Sequence, residues 1–136
     1  MKDPLLEFPG YALRRAANAA GAILSERLGE LGLRQADASA LILLDANPGL
    51  TSSRLGAALG IQRANMVPFL NRLETEGFVE RVPIDGRTQG IHLTDQGRAR
   101  LTDARRVIET FEAELIAMVP REHRTHLLPA LLALWK

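Results

Sequence analysis

The sequence predicts a mainly α-helical domain that carries one small β-hairpin. Hydrophobic residues make up 46% of the 136 residues and aromatic residues only 4%, with Leu and Ala dominating the apolar set. Leu and Ala favour helices, whereas strands prefer β-branched and aromatic residues. Apolar residues recur at helical spacing along most of the chain, and only the stretch 78–93 alternates with a period of two. A chain of this length fits a single domain.

Two helices are predicted to open the chain. The first covers 11–31, where Ala and Leu recur at steps of three and four. Pro9 suits a helix start and Gly32 a helix end. The second covers 35–46, because the Asn47-Pro48-Gly49 sequence that follows is a stop and turn signal.

Two further helices are predicted next to each other, joined by a tight turn at Gly60-Ile61. Thr51 is suited to cap the shorter one. The longer one covers 62–76 and ends at Gly77, a residue type common just after helices. Its apolar stripe, which should face the core, consists of Met66, Phe69, Leu70 and Leu73. Pro68 should bend or loosen this helix, because it cannot donate a backbone hydrogen bond to Ala64.

The remaining chain is predicted to form a hairpin and two more helices. Alternation predicts strands over 78–84 and 90–93, with a turn at Asp85-Gly86. Thr94 should cap a fifth helix that reaches Met118, whose apolar spacing is typical of helices that pack against helices. The last segment, 127–135, is rich in Leu, and Pro129 should kink or split it.

The order short helix, tight turn, longer helix and hairpin is that of a winged helix-turn-helix. The longer helix fits the major groove of DNA, and its N-terminal residues meet base edges first. The DNA contacts predicted on this helix are Gln62, Arg63, Asn65, Met66 and Arg72. Arg87 and Thr88 at the hairpin tip should reach the adjacent minor groove. Ser52 and Ser53 should meet a phosphate, although capping explains them nearly as well, and a structural ion pair explains Arg72 equally well.

Composition agrees with nucleic-acid binding but does not decide it. The net charge is +1, and fifteen of the seventeen basic residues are Arg. Arg binds phosphate and guanine through paired hydrogen bonds, but GC-rich codon usage also raises the Arg content. The absence of cysteine excludes disulfides and thiolate metal sites within this chain.

The stretch 50–97 resembles the DNA-binding lobe of the multiple-antibiotic-resistance regulator (MarR) family. The matching residues are Leu50-Thr51, Leu59-Gly60-Ile61, Asn71-Arg72-Leu73-Glu74, Gly77-Phe78-Val79-Glu80-Arg81, Asp85-Gly86-Arg87 and Ile91-His92-Leu93-Thr94-Asp95-Gln96-Gly97. Each piece is weak alone, but the ordered set is specific, and the flanking helices extend the resemblance over nearly the whole chain. Val67-Pro68 departs from it, since members often carry a polar and then a basic residue there. The resemblance therefore does not predict which bases are read.

The resemblance implies a homodimer whose dimerisation lobe comprises 1–34 and 100–136 and whose DNA-binding lobe comprises 35–99. It implies a transcription regulator, most often a repressor, that binds a pseudo-palindromic operator in double-stranded DNA. A small aromatic or anionic effector would release it. Tyr11, Arg14 and Arg15 are the candidate effector residues, although dimer packing and solvent exposure explain them too.

Other readings of the sequence have less support. An architectural or protein-interaction winged helix that reads no bases stays open, and Pro68 is its best argument. His123, His126 and Glu122 are zinc-ligand types, but no further ligand clusters with them. No metal, cofactor or enzymatic activity is expected, because no nucleophile elbow or Gly-rich phosphate loop is present. No run approaches the ~20 apolar residues of a membrane span, and residues 1–8 are unlike a signal peptide, so we expect a cytoplasmic protein.

Overall fold

The computed structural model describes residues 1–136 and contains six α-helices and one two-stranded antiparallel sheet. The elements are α1 (Pro9–Gly29), α2 (Gln35–Ala46), α3 (Ser52–Leu59), α4 (Arg63–Thr75), β1 (Val79–Pro83), β2 (Gln89–Leu93), α5 (Asp95–Met118) and α6 (Arg124–Leu132). Short 3₁₀ helices at Pro4–Glu7 and Arg121–His123 were not predicted. The mainly α fold with a small hairpin is confirmed. None of the helices has the length and apolar character required to span a membrane.

The helix boundaries follow the predicted caps. The Thr51 hydroxyl oxygen accepts from the backbone N–H of Arg54 at 3.3 Å, and the Thr94 hydroxyl oxygen accepts from that of Gly97 at 3.0 Å. Gly60 and Gly77 adopt φ values of 68° and 81°, the left-handed conformation that terminates α3 and α4. Local side-chain chemistry therefore sets the order and spacing of these elements.

Two prolines lie inside helices without ending them. Pro68 is the sixth residue of α4 and Pro129 the sixth residue of α6, and both helices continue past the proline as single elements. Of the two alternatives expected at Pro129, a kink or a split, the split is therefore wrong. Each proline removes only one backbone donor, and the hydrogen bonds of the neighbouring residues maintain the helix.

The hairpin is attached to the start of α3. Val79 of β1 lies opposite Leu93 of β2, and the backbone around Leu50 adds a bridge to Ile91. The Ile91 N–H donates to the Leu50 carbonyl at 2.8 Å, and the Gly49 N–H donates to the Ile91 carbonyl at 3.0 Å. These bonds fix the wing (β1, β2 and the loop between them) relative to the N-terminus of α3.

One buried core joins α2, α3, α4, the wing and the first half of α5. Its least exposed large side chains are Leu28, Leu41, Leu44, Leu55, Leu70, Leu73 and Ile91. Burial of such side chains is the main favourable contribution to folding. This core extends beyond the DNA-binding lobe predicted for 35–99, because it also includes Leu28, Leu33, Leu101 and Ala104.

The terminal helices leave apolar surface uncovered in the single chain. Leu28 is the one buried residue of α1, and α6 has none. Exposed large apolar side chains in and beside these helices are Leu13, Ile23, Leu128, Leu132, Leu134 and Trp135. Exposed apolar patches of this kind usually mark an interaction surface.

Candidate nucleic-acid interface

A cleft of about 420 Å³ opens between the N-terminus of α3, the N-terminus of α4 and the wing. The residues that line this basic cleft are Thr51, Ser52, Ser53, Arg63, Leu70, Arg81, Arg87, Thr88, Gln89 and Ile91. Three of them are Arg and none is acidic. Arg81 is paired with Glu74 at 3.2 Å, so Arg63 and Arg87 supply the uncompensated positive charge. A concave surface with this charge attracts an anion and is suited to a phosphate.

The serines of the cleft lie at the beginning of α3. Ser52 and Ser53 are the first two residues of the helix, directly after the Thr51 cap. Backbone N–H groups in the first turn of a helix lack carbonyl partners within the helix. Two hydroxyl groups beside these donors make the helix start suitable for hydrogen bonding to a phosphate oxygen.

The tip of the wing is closed by Asp85. One of its carboxylate oxygens accepts from the backbone N–H groups of Arg87 at 3.0 Å and Thr88 at 2.9 Å. These hydrogen bonds stabilise the carboxylate and lower the pKa of Asp85 below its usual range. Asp85 therefore forms the turn rather than orienting the Arg87 side chain. The exposed Arg87 guanidinium makes no ion pair within the chain.

The predicted base-reading residues at the start of α4 are exposed, and their side chains are not paired with other side chains of the chain. Gln62 is the N-cap residue and makes no side-chain capping bond. Arg63 faces the basic cleft, whereas Asn65 borders a second concavity together with Arg34 and Arg72. Gln62, Arg63 and Asn65 thus present hydrogen-bonding groups at the start of α4, where a helix in the major groove meets base edges.

The predicted DNA contact from Met66 is wrong. Met66 is only 3% exposed, and its side chain fills the space beside Gly56, where an added Cβ would lie 2.9 Å from the Met66 Cγ. Its position on the apolar stripe of α4 directs it into the core.

Arg72 has a structural role. Both of its terminal nitrogens donate to the carboxylate of Asp37, with Nη1 at 3.0 Å from Oδ2. This partner raises the pKa of Arg72. Of the two alternatives for Arg72, the ion pair is present in the structure, and the DNA contact stays a prediction.

Sequence reasoning did not single out Asp37. It lies in the first turn of α2, is fully buried, and also accepts from the Arg34 backbone N–H at 2.8 Å. An acidic residue three positions after a helix boundary is a recognisable capping signal. That signal identifies the bond to Arg34, but it cannot identify Arg72 as the second partner.

The candidate effector residues form one cluster at the start of α1. The guanidinium carbons of Arg14 and Arg15 lie 5.4 and 5.7 Å from the centroid of the Tyr11 ring. Arg15 Nη1 also donates to the Tyr11 hydroxyl at 2.8 Å. An aromatic ring with two cations beside it suits an aromatic or anionic group.

A separate apolar cavity of about 710 Å³ lies between α1, α5 and α6. The residues that line this terminal groove are Pro9, Gly10, Ala12, Leu13, Ala16, Ala17, Ala20, Leu115, Val119, Leu127, Leu131 and Leu134. Tyr11, Arg14 and Arg15 are not among them. The structure has no group of three or more His, Cys, Asp or Glu residues placed to hold a metal ion.

Comparison with known proteins accounts for this arrangement. A profile of the MarR family matches residues 33–88, from the loop before α2 to the tip of the wing. The structure of the transcriptional repressor CouR bound to a 23-mer DNA duplex superposes with a TM-score of 0.92 and 36% identity, covering 100% of this chain and 99% of that one. The chain belongs to the MarR family. The resemblance to this family and the predicted winged-helix fold are thereby confirmed.

Two further relatives extend the comparison. CouR bound to p-coumaroyl-CoA gives a TM-score of 0.86 and 34% identity over 98% of this chain and 96% of that chain. The uncharacterized HTH-type transcriptional regulator YdgJ of Bacillus subtilis is 33% identical over 102 residues. That match covers 74% of this MarR-family chain but only 62% of YdgJ, so the chain spans less than two thirds of that relative's length.

Proposed function

We propose that this chain is a sequence-specific DNA-binding transcription repressor. It acts as a homodimer on a pseudo-palindromic operator and is released by a small aromatic or anionic ligand. The observation that carries the proposal is the basic cleft, in which Arg63 at the start of α4 and Arg87 at the wing tip line one concave surface. A repressor that is 36% identical over its whole length has been seen on a DNA duplex, which supports the same use of this surface.

The basic cleft and the N-terminus of α4 have different tasks in this proposal. Ser52 and Ser53 hold a phosphate at the start of α3, which sets the register of the protein on the duplex. Arg63, Gln62 and Asn65 reach base edges in the major groove, where each base pair presents a distinct pattern. Arg87 enters the neighbouring minor groove, whose negative potential favours a cation. In this proposal α4 reads the DNA sequence, and the remaining contacts position α4 on the duplex.

The proposed homodimer uses the terminal groove. Its apolar lining and the exposed side chains Leu13, Leu128 and Leu132 have no cover within one chain. A second copy related by two-fold symmetry would present the same surface and bury both. The proposed dimerisation lobe comprises 1–34 and 100–136, and the proposed DNA-binding lobe comprises 35–99.

The proposed ligand joins an aromatic group to an anionic one. CouR, 34% identical, has been seen with p-coumaroyl-CoA, a molecule that has an aromatic acyl group and several phosphates. The cluster of Tyr11, Arg14 and Arg15 offers a ring and two guanidinium groups that match these two parts. p-Coumaroyl-CoA is therefore the ligand to test first.

Selection of bound sequences from a random duplex library tests the DNA-binding proposal. The expected product is a two-fold symmetric site whose half-site centres lie about one helical turn apart, because a dimer places two reading helices on one face of the duplex. Failure to enrich any sequence would contradict the proposal and favour a winged helix without base reading, the alternative that Pro68 suggests.

The ligand is tested on the selected operator. Addition of p-coumaroyl-CoA should dissociate the complex, and replacement of both Arg14 and Arg15 by Ala should raise the concentration required. The matched control replaces Arg105 and Arg106 of α5 by Ala, which also removes two adjacent arginines but leaves the Tyr11 cluster intact. Full retention of the operator at saturating ligand would contradict this ligand class.

A further inference from the structure

The exposed face of α4 is apolar at its centre. Met66, Leu70 and Leu73 form the buried stripe of this helix. Ala64, Val67 and Pro68 project from the other side; all three are exposed, with Val67 61% exposed. At 3.6 residues per turn these three positions are neighbours on the helix surface. Packing within the chain gives no reason for an exposed valine here.

This apolar face lies inside the proposed DNA interface. Arg63 is one turn before Val67 on the side of the basic cleft, and Asn65 is on the opposite side. Asn71, one turn after Val67, is already occupied, because its side-chain oxygen accepts from Arg81 Nη2 at 2.7 Å. The face is thus continuous with hydrogen-bonding residues at its beginning and has no free polar side chain at its centre.

The chemistry of this face restricts what it can recognise. The side chains of Ala64, Val67 and Pro68 have no hydrogen-bond donor or acceptor, and Pro68 also lacks a backbone N–H. They cannot read the polar edges of bases. The apolar substituent that base pairs present in the major groove is the C5-methyl group of thymine.

We infer that Val67, together with Ala64 and Pro68, forms a specificity surface that recognises thymine methyl groups in the major groove of each half-site. The inference rests on the proposed function and adds the identity of the recognised group. DNA is the expected partner of this face, because the face is continuous with the basic cleft. Any molecule bound to the face must also pass beside Arg63 and the wing. Val67 packs on the methyl, and Arg63 reads an adjacent pair through hydrogen bonds.

Replacing thymine by deoxyuridine tests this inference, because it removes the C5-methyl group and leaves base pairing unchanged. Each thymine of the selected operator is replaced in turn. Binding should weaken about four-fold at a thymine whose methyl is buried under Val67, as expected for one buried methyl group. Thymines elsewhere in the operator should tolerate the replacement.

A protein variant identifies the side chain. Val67→Ala should reduce the difference between thymine and deoxyuridine operators, and because Val67 is exposed and Ala favours helices, folding should be retained. The matched control is Val82→Ala, at a valine of β1 that is 41% exposed. It should leave that difference unchanged, because the wing approaches the minor groove.

The outcomes separate this inference from the proposed function. Enrichment of a specific operator with no effect of deoxyuridine overturns the inference and leaves the function standing. A deoxyuridine effect that Val67→Ala does not alter also overturns it, because another side chain then reads the methyl. Failure to enrich any operator contradicts the proposed function, and the inference with it.

Discussion

Arg72 of α4 and Asp37 of α2 form an ion pair in which both terminal guanidinium nitrogens donate to a fully buried carboxylate. Asp37 also accepts from the backbone N–H of Arg34 at 2.8 Å. It is the one charged residue of the chain that is buried. The pair links α4 to the first turn of α2, so it helps to hold α4 on the core.

Arg72→Ala should destabilise the protein, because it leaves the Asp37 carboxylate buried without a cation. We expect the free energy of unfolding to fall by about 3 kcal/mol, as for other broken buried pairs. Urea denaturation measures it. The control is Arg105→Ala, which breaks the exposed pair between Arg105 and Asp45 at 3.1 Å. That change should cost less than about 1 kcal/mol. Equal losses in the two variants would show that the buried pair is no stronger than a surface pair.

Gly97→Ala should destabilise the junction between the wing and α5. An added Cβ would lie 2.0 Å from the Phe78 carbonyl oxygen, so the backbone must move. The expected cost is about 1–3 kcal/mol, measured as a lower Tm. Gly29→Ala is the matched control, because a Cβ there meets nothing within 4 Å. A Tm unchanged by Gly97→Ala would contradict the close contact.

Asp85 should titrate at a lower pH than an ordinary aspartate. Backbone hydrogen bonds from Arg87 and Thr88 lower its pKa below 3.8. A carboxyl group with a lowered folded-state pKa contributes stability that is present above the unfolded-state pKa and is lost as the pH falls through the folded-state value. The wing tip should therefore stay ordered at neutral pH and loosen in acid below pH 3.8. An NMR titration of the Asp85 carboxyl carbon checks this.

The Arg87 and Thr88 amide signals provide the control for that titration. In Asp85→Asn they should no longer shift with pH in the acid range, because the titrating group is gone. A midpoint for Asp85 at or above 3.8 would show that its hydrogen bonds do not favour the charged form.

Arg87→Ala should weaken binding to operator and random duplex by similar factors. In the proposed complex the wing-tip cation meets phosphates or the minor-groove potential and makes no hydrogen-bond readout of base edges in the major groove. The slope of log K against log salt concentration should fall in magnitude by about 0.9 for one lost phosphate contact. Arg121→Ala, at an exposed arginine outside the basic cleft, should leave the slope unchanged. An unaltered slope in Arg87→Ala would place this side chain off the DNA.

Local signals predicted most of the fold. α2 was predicted over 35–46 and spans Gln35–Ala46, because Asn47-Pro48-Gly49 ends it. Thr51 and Thr94 begin α3 and α5 as expected, because a hydroxyl cap acts within a few residues of the chain. α6 was predicted to begin at residue 127 but begins at Arg124, since the prediction followed its leucines and no cap marks its start.

Contacts between distant segments could not be predicted. Asp37 and Arg72 are 35 positions apart, so no local pattern pairs them. Met66 was predicted both to lie on the apolar stripe and to contact DNA, and its burial shows that it belongs to the stripe. The exposed positions of α4 follow from helical periodicity. The role inferred for Val67, however, depends on the basic cleft beside it, which only the structure shows.

Base reading by side chains at the N-terminus of α4 is tested by Arg63→Ala. Affinities of wild type and variant are compared on the selected operator and on a random duplex at one salt concentration. The variant should lose about 1–3 kcal/mol of binding free energy on the operator and almost none on random DNA. Equal losses on both duplexes would contradict base reading by Arg63 and reduce its role to a phosphate contact.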